Sequence, residues 1–184
     1  VSPHFPCLAR GEVTWTTVER VTEVVMALAG DRHRVPSGRL GIFSVSFSAG
    51  LSMVAASRPE IALRIQAICA IGSYADAETC IRYLMEDPGA DEYGRNLLLA
   101  NFIDRSIGPN PDIAAALMAF ASDDSLDRDP PLAPRLVDAL PASDRAIVEA
   151  LRRSTAFRKR HAARVIDACQ DLYRAMSVTR HIQG

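Results

Sequence analysis

Three serines alternate with other residues in the segment IFSVSFSAGLSM, which covers residues 42 to 53. An apolar run precedes them, and a pattern of small residues typical of a helix follows. A strand that delivers a serine hydroxyl to the first turn of a helix has this order. The amides at the start of such a helix would face the oxygen that becomes negative when the serine attacks a carbonyl carbon. The chemistry that this segment indicates is nucleophilic attack by a hydroxyl.

The segment allows two registers for the nucleophile. The sharp turn between strand and helix needs small residues two positions before and two positions after the serine. For Ser46 those positions are Ser44 and Ser48, and for Ser48 they are Ser46 and Gly50. We favour Ser46, because it follows the apolar run GIFSV at once, whereas Ser48 already lies in the helical pattern. The alternative is that these serines only cap the helix or shape the turn, since serine is a preferred N-cap residue.

The surrounding pattern predicts an α/β region followed by helices. A helix over 16–30 leads through a polar turn to a strand over 39–45, then to a helix over 47–58 and a strand over 65–74. The two strands are nearly continuous apolar runs, which predicts a parallel sheet buried on both faces. After Tyr74 the pattern predicts helices only, over 77–86, 94–107, 111–121, 131–139, 143–153 and 156–176. A sheet of two strands would have both edges open, so we expect strands beyond those in this sequence.

Composition excludes several classes of protein. The 184 residues carry a net charge of −1, which argues against a protein that binds nucleic acid. No apolar run reaches the roughly 18 residues that would predict a membrane span. The four cysteines are scattered, which predicts neither a disulfide framework nor a metal site, and no cofactor is expected. Cys69 and Cys169 stand among apolar residues and are expected to be buried, in a reducing, cytoplasmic protein.

The run GRLGIFSVSFSAGLSMVAASRPEIALRIQAICAIGSYADAETCIRYLM, residues 38 to 85, resembles the α/β-hydrolase superfamily around its nucleophile elbow. The later DEYGRNLLLANFID, residues 91 to 104, and the helices after it are similar to the helical cap of many of these enzymes. The resemblance implies a partial α/β-hydrolase core with two parallel strands over 1–76, a helical cap over 77–178 and a return to the core over 179–184. The elbow departs from the family pattern G-x-S-x-G, because serines 44 and 48 replace glycine.

The resemblance also implies roles for individual residues. Ser46 falls on the nucleophile, and Phe47 on the residue whose amide forms half of the oxyanion hole. The family's acid and histidine follow the cap, so we expect them outside these residues, and the chain to be an internal piece of a larger hydrolase. Asp76 is the best acid candidate present, although an N-cap for the next helix is the favoured alternative. The histidines are expected at the surface, His161 on a solvated helix face; they are His4, His33, His161 and His181.

The leading hypothesis is therefore a serine hydrolase that cleaves a small, apolar ester or related acyl compound, with no cofactor and with Ser46 as nucleophile. The isolated chain is expected to be inactive, since its base is missing. One alternative is a catalytically inactive module of the same fold that binds a ligand or partner. Another is a complete small helical protein with a core of two strands.

Overall fold

A computed structural model describes residues 1–126 and 129–182 of the chain. The fold is mixed α/β and mostly helical, and two strands pair in parallel, which confirms the predicted class at this level. The chain divides into two compact units. The first is Val1–Glu78 with Asp171–Gly184, and the second is Thr79–Gln170. No helix within the described ranges is long and apolar enough to cross a membrane.

The first unit holds the sheet and the helices that pack on it. Its elements are α1 (Pro6–Ala9), α2 (Thr16–Gly30), β1 (Leu40–Val45), α3 (Ser46–Ala56), α4 (Pro59–Ala62), β2 (Ile65–Ile71) and a 3₁₀ turn at Val178–Arg180. α2 is amphipathic, with Val18, Val21 and Val25 buried along one side. α3 contacts α2 and both strands. The predicted order of helix, strand, helix and strand is thus present.

The strands pair with one irregularity. Leu40 lies opposite Ile65, and Gly41 opposite Ala67, so one residue of β2 is skipped. From there the register is regular to the end of the sheet, where Val45 lies opposite Ile71. The carboxyl ends of both strands therefore lie next to each other at the same end of the sheet.

The prediction that both faces of the sheet are buried is wrong for the described chain. Phe43 is 70% exposed, Val45 48% and Ile71 54%, and Cys69 beside them is also exposed. These side chains alternate with those that point towards the helices, so they project from the opposite face. The expectation of a buried Cys69 fails for the same reason, whereas Cys169 is buried as expected. The result is an open apolar sheet face.

The second unit is entirely helical in its described residues. α5 (Ala77–Glu86) leads into it, followed by α6 (Glu92–Phe102), α7 (Asp104–Ile107), α8 (Pro111–Leu126), α9 (Ala133–Ala139), α10 (Ala142–Arg153) and α11 (Thr155–Ala168), and α12 (Gln170–Met176) leads out of it. The predicted helix over 94–107 is two helices, and so is the one over 156–176, where the break is at Cys169. Fully buried Ile113, Leu117 and Leu151 form the centre of this unit's core.

Two arginines are buried in the second unit at the carboxyl-terminal end of α5. The Nε of Arg95 donates to the carbonyl of Leu84 at 2.8 Å, and its Nη2 donates to that of Asp87 at 2.9 Å. The Nε of Arg158 donates to the carbonyl of Met85 at 3.0 Å. The last carbonyls of a helix have no partner within the helix and lie at the negative end of its dipole. Both buried cations are therefore solvated by main-chain oxygens.

Candidate active site

Ser46 occupies the corner between β1 and α3. Val45 before it is extended, with φ −129° and ψ 154°, whereas Ser46 has a φ of 55°. Among the described residues it is the one non-glycine residue with a positive φ. A left-handed backbone costs a residue with a Cβ about 1–2 kcal/mol. The chain accepts this conformation at the point where the strand turns abruptly into the helix, and Ser46 is exposed there.

No side chain caps the amino terminus of α3. The N-cap residue is Val45, which has no side-chain oxygen, and the hydroxyl of Ser48 donates backwards to the carbonyl of Val45 at 2.7 Å. The alternative that these serines cap the helix is therefore not what the structure contains. The first amides of a helix have no carbonyl partner within it. The amide of Phe47, directly after Ser46, is one of these donors.

The three alternating serines have three different surroundings. Ser46 is exposed at the corner, and Ser48 is bonded to the main chain one turn into the helix. The Oγ of Ser44 is buried and has no hydrogen-bond partner. Of the three, Ser46 alone combines an exposed side chain with a position at the uncapped helix terminus.

The exit of β2 lies against the same corner. Gly72 has a φ of 65°, and a Cβ on it would be 4.0 Å from the nitrogen of Ser46. Two residues later the ring of Tyr74 stacks on that of Phe47, with centroids 5.2 Å apart. A Cβ on Gly50 would overlap the Tyr74 ring, so this helical glycine makes room for the aromatic pair. Sequence analysis identified Gly50 only as the small residue that follows Ser48 by two positions, in the register with Ser48 as nucleophile.

Asp76 follows β2 at the carboxyl-terminal end of the sheet, where Ser46 also lies. The hydroxyl of Ser177 lies 3.1 Å from its Oδ2, and the amide of Ala77 donates to that hydroxyl at 2.9 Å. The amide of Thr179 donates to the carbonyl of Ala75 at 3.1 Å. The segment after α12, including the part of the predicted return to the core that is described (179–182), is thus bonded to the exit of β2. Residues 183 and 184 of that prediction lie outside the described residues.

The three histidines of the first unit make other contacts. The Nε2 of His181 lies 2.7 Å from the carbonyl of Ala175, so this nitrogen donates to it. His33 lies in the turn before β1, which puts the length of the strand, about 20 Å, between it and Ser46. His4 is exposed in the segment before α1. The described part of the first unit thus contains no hydrogen bond from a histidine to Ser46.

His161 is buried in the second unit, so its predicted place on a solvated helix face is wrong. It is 6% exposed, its Nδ1 lies 2.9 Å from the Oγ of Ser106, and its ring centroid is 4.4 Å from that of Phe157. Burial, and then the charges of Arg164 and Arg160, lower the pKa of the imidazole below its ordinary value. The sequence does contain a signal for this burial. Residues 158, 161, 162, 165 and 166 of α11 recur at the spacing of one helix face, and that face is the buried one.

The corner holds groups of the kinds that acyl transfer would need. It brings together an exposed serine hydroxyl and the amide of Phe47, with Asp76 on the same sheet edge. Within the described residues, no group of three or more His, Cys, Asp or Glu side chains is placed to hold a metal ion. Comparisons with protein families, with curated proteins and with solved structures find no match for this chain.

Proposed function

We propose that this chain carries the nucleophile of an α/β-hydrolase-type serine hydrolase. The observation that supports this most is the left-handed backbone of Ser46 at an abrupt strand-to-helix corner. Such strain is rare for a residue with a side chain and concentrates at functional sites. In the nucleophile elbow that residues 38–85 resemble, the serine at the position of Ser46 lies on a sharp, strained turn from strand to helix.

In the proposed reaction, the Oγ of Ser46 attacks the carbonyl carbon of an ester while its proton passes to a base. The carbonyl oxygen becomes negative and accepts a hydrogen bond from the amide of Phe47. The intermediate expels the alcohol and leaves an acyl-serine, which water hydrolyses to a free acid and the regenerated hydroxyl. We place the base, its orienting acid and the second oxyanion donor outside these 184 residues. The isolated chain would then be inactive.

The surroundings of Ser46 favour an apolar acyl group. Val45 and Ile71 are half exposed at the carboxyl ends of the two strands. On the side of the helix, the half-buried ring of Phe47 adds apolar surface, and it stacks on the buried ring of Tyr74. Contact with these side chains would remove apolar surface of both protein and substrate from water, which stabilises the complex by about 25 cal/mol per Å². The proposed substrate is therefore a small apolar ester.

The test is covalent labelling of the full-length protein with a fluorophosphonate, followed by mass spectrometry of the labelled peptide. We expect the label on Ser46, and we expect Ser46→Ala to lower the hydrolysis of p-nitrophenyl butyrate by at least about 10³-fold. The matched control is Ser48→Ala, two residues further along, which removes one hydrogen bond to the carbonyl of Val45 and should keep the labelling and most of the hydrolysis. An active Ser46→Ala protein together with an inactive Ser48→Ala protein would show that the nucleophile is Ser48.

A second candidate is a binding module of the same fold without catalysis. Two observations favour it: serines stand at positions 44 and 48 instead of glycine, and the histidine hydrogen bonds in the described residues go to Ser106 and Ala175 and not to Ser46. A full-length protein that unfolds cooperatively but is neither labelled nor active would exclude the hydrolase and favour the binding module.

A further inference from the structure

The segment that leaves β2 lies along the first turns of α3 in the first unit. A Cβ on Gly72 would be 4.0 Å from the nitrogen of Ser46, and the Oγ of Ser73 is 3.8 Å from the Sδ of Met53. Between these two contacts along the helix, the ring of Tyr74 packs against α3. The segment therefore follows α3 from the proposed nucleophile onwards.

The ring of Tyr74 is buried and is held by α3 in two ways. It stacks on the ring of Phe47, with the centroids 5.2 Å apart and the planes 29° apart. It also lies over Gly50, three residues further along, where a Cβ would overlap the Cε1 and Cζ atoms of the ring. Because protein interiors are closely packed, a flat ring in this notch has little room to move, and it restrains the Phe47 ring beside it.

The main chain that carries Tyr74 is held on both sides. Before it, β2 is paired with β1. After it, the amide of Thr179 donates to the carbonyl of Ala75 at 3.1 Å, and the amide of Ala77 donates to the hydroxyl of Ser177 at 2.9 Å. These bonds keep the segment in place, so the Tyr74 ring has a fixed position from which it can restrain the first turn of α3.

The amide of Phe47 is the group in this arrangement that the proposed reaction uses. It belongs to the first turn of α3, whose amides have no carbonyl partner within the helix. A donor stabilises an oxyanion only from a narrow range of positions, and a misplacement of about 1 Å costs about 10²-fold in rate. Because the ring and the amide of Phe47 are attached to the same Cα, a restraint on the ring is also a restraint on this donor.

We propose that Tyr74 is a positioning residue for the oxyanion donor of the Ser46 site. Its ring, and not its hydroxyl, holds the ring of Phe47 so that the amide of Phe47 points to the place where the oxyanion forms. Tyr74 itself does not touch the substrate. This inference rests on the proposed function, because the role exists only if Ser46 attacks a carbonyl carbon.

The test compares the hydrolysis of p-nitrophenyl butyrate by full-length wild type, Tyr74→Leu and Tyr74→Phe. Leucine removes the flat ring, whereas phenylalanine keeps it. We expect Tyr74→Leu to lower kcat at least about tenfold and to change KM less than about threefold, because the oxyanion forms only after the substrate has bound. Tyr74→Phe should stay within about threefold of the wild type. So should the matched control Tyr173→Leu, which removes the other buried tyrosine of the first unit.

A second measurement separates the oxyanion donor from a general loss of structure. The Oγ of Ser46 adds to the carbonyl carbon of 1,1,1-trifluoropentan-2-one, the carbonyl oxygen takes the electron pair, the serine proton passes to the base, and no group leaves. The adduct resembles the transition state, so its inhibition constant should rise in Tyr74→Leu by the factor by which kcat/KM falls. Gly50→Ala, which displaces the ring without replacing it, should show the same paired changes and keeps the test decisive if Tyr74→Leu does not fold.

Four results would overturn this inference and leave the nucleophile in place. Wild-type kinetics in Tyr74→Leu would show that the donor does not need the ring, and an equally impaired Tyr74→Phe would assign the effect to the hydroxyl. Equal losses in Tyr74→Leu and Tyr173→Leu would show an effect on stability alone. A higher KM with an unchanged kcat would place Tyr74 in the substrate pocket. A wild type that is neither labelled nor active would instead overturn the proposed function, and this inference with it.

Discussion

Replacing Ser46 with glycine should stabilise the protein while removing its proposed activity. The φ of Ser46 is 55°, which any residue with a Cβ adopts at a cost of about 1–2 kcal/mol. Glycine has no Cβ and adopts this conformation without that cost. The side chain of Ser46 therefore has two separate effects: its Oγ would be the nucleophile, and its Cβ strains the backbone.

The magnitude follows from two opposing effects. Removing the strain contributes about 1–2 kcal/mol, and the greater freedom of glycine in the unfolded chain offsets about 0.5–1 kcal/mol of it. From the middle of each range, the net gain in the free energy of unfolding is about 0.75 kcal/mol, within limits of about 0 to 1.5 kcal/mol, which corresponds to roughly 1.5–3 °C in Tm for a chain of this size. Ser46→Ala keeps the Cβ, so its stability should stay within about 0.5 kcal/mol of the wild type.

The assay is urea unfolding followed by far-ultraviolet circular dichroism for the wild type, Ser46→Gly and Ser46→Ala. Hydrolysis of p-nitrophenyl butyrate is measured on the same full-length proteins. We expect both variants to be inactive and only the glycine variant to be more stable. If Ser46→Gly is no more stable than Ser46→Ala, the corner is not strained, and the main support for the proposed elbow is lost.

Two further predictions concern residues away from the nucleophile. Folding lowers the pKa of His161, so the folded state binds fewer protons than the unfolded state. The stability that this pKa shift contributes is complete above pH 6.5 and is lost as the pH falls through the folded pKa. The midpoint of urea unfolding should fall between pH 7.5 and pH 5.5, and less so in His161→Gln; an equal fall in both proteins would assign the effect to other groups. Gly50→Ala should destabilise by about 1–3 kcal/mol, because the new methyl group overlaps the Tyr74 ring and this outweighs the better helix propensity of alanine. Gly30→Ala is the matched control, since nothing lies within 4 Å of its Cβ position, and a loss of stability equal to that of Gly50→Ala would remove the role of Tyr74.

Local features of the fold followed well from the sequence. The predicted helix over 77–86 is found as Ala77–Glu86, and both strands lie where the apolar runs predicted them. These features depend on periodicity and on turn residues, which act over a few neighbours in the chain. The position of Ser46 at the end of β1 is of the same local kind. Its left-handed backbone is a property of the folded corner, which the spacing of small residues only indicates.

Burial could not be predicted in the same way. The apolar strand residues favour burial, but Phe43 is exposed because burial needs a second element on that face, and no local pattern specifies one. The error at His161 is the reverse. Its charged neighbours Lys159 and Arg160 indicated solvent, yet they lie on the other side of the helix. Arg158 and His161 are buried together because main-chain carbonyls and a serine hydroxyl satisfy their polar atoms.

A strained residue persists only where the surrounding structure holds it on both sides. Before Ser46, the register of β1 with β2 holds Val45 opposite Ile71. After it, the Ser48 hydroxyl bonds the carbonyl of Val45, and the ring of Phe47 stacks on Tyr74. These constraints come from neighbours of Ser46 in the first unit, so the strain of the corner is held by the sheet register on one side and by the first turn of α3 on the other.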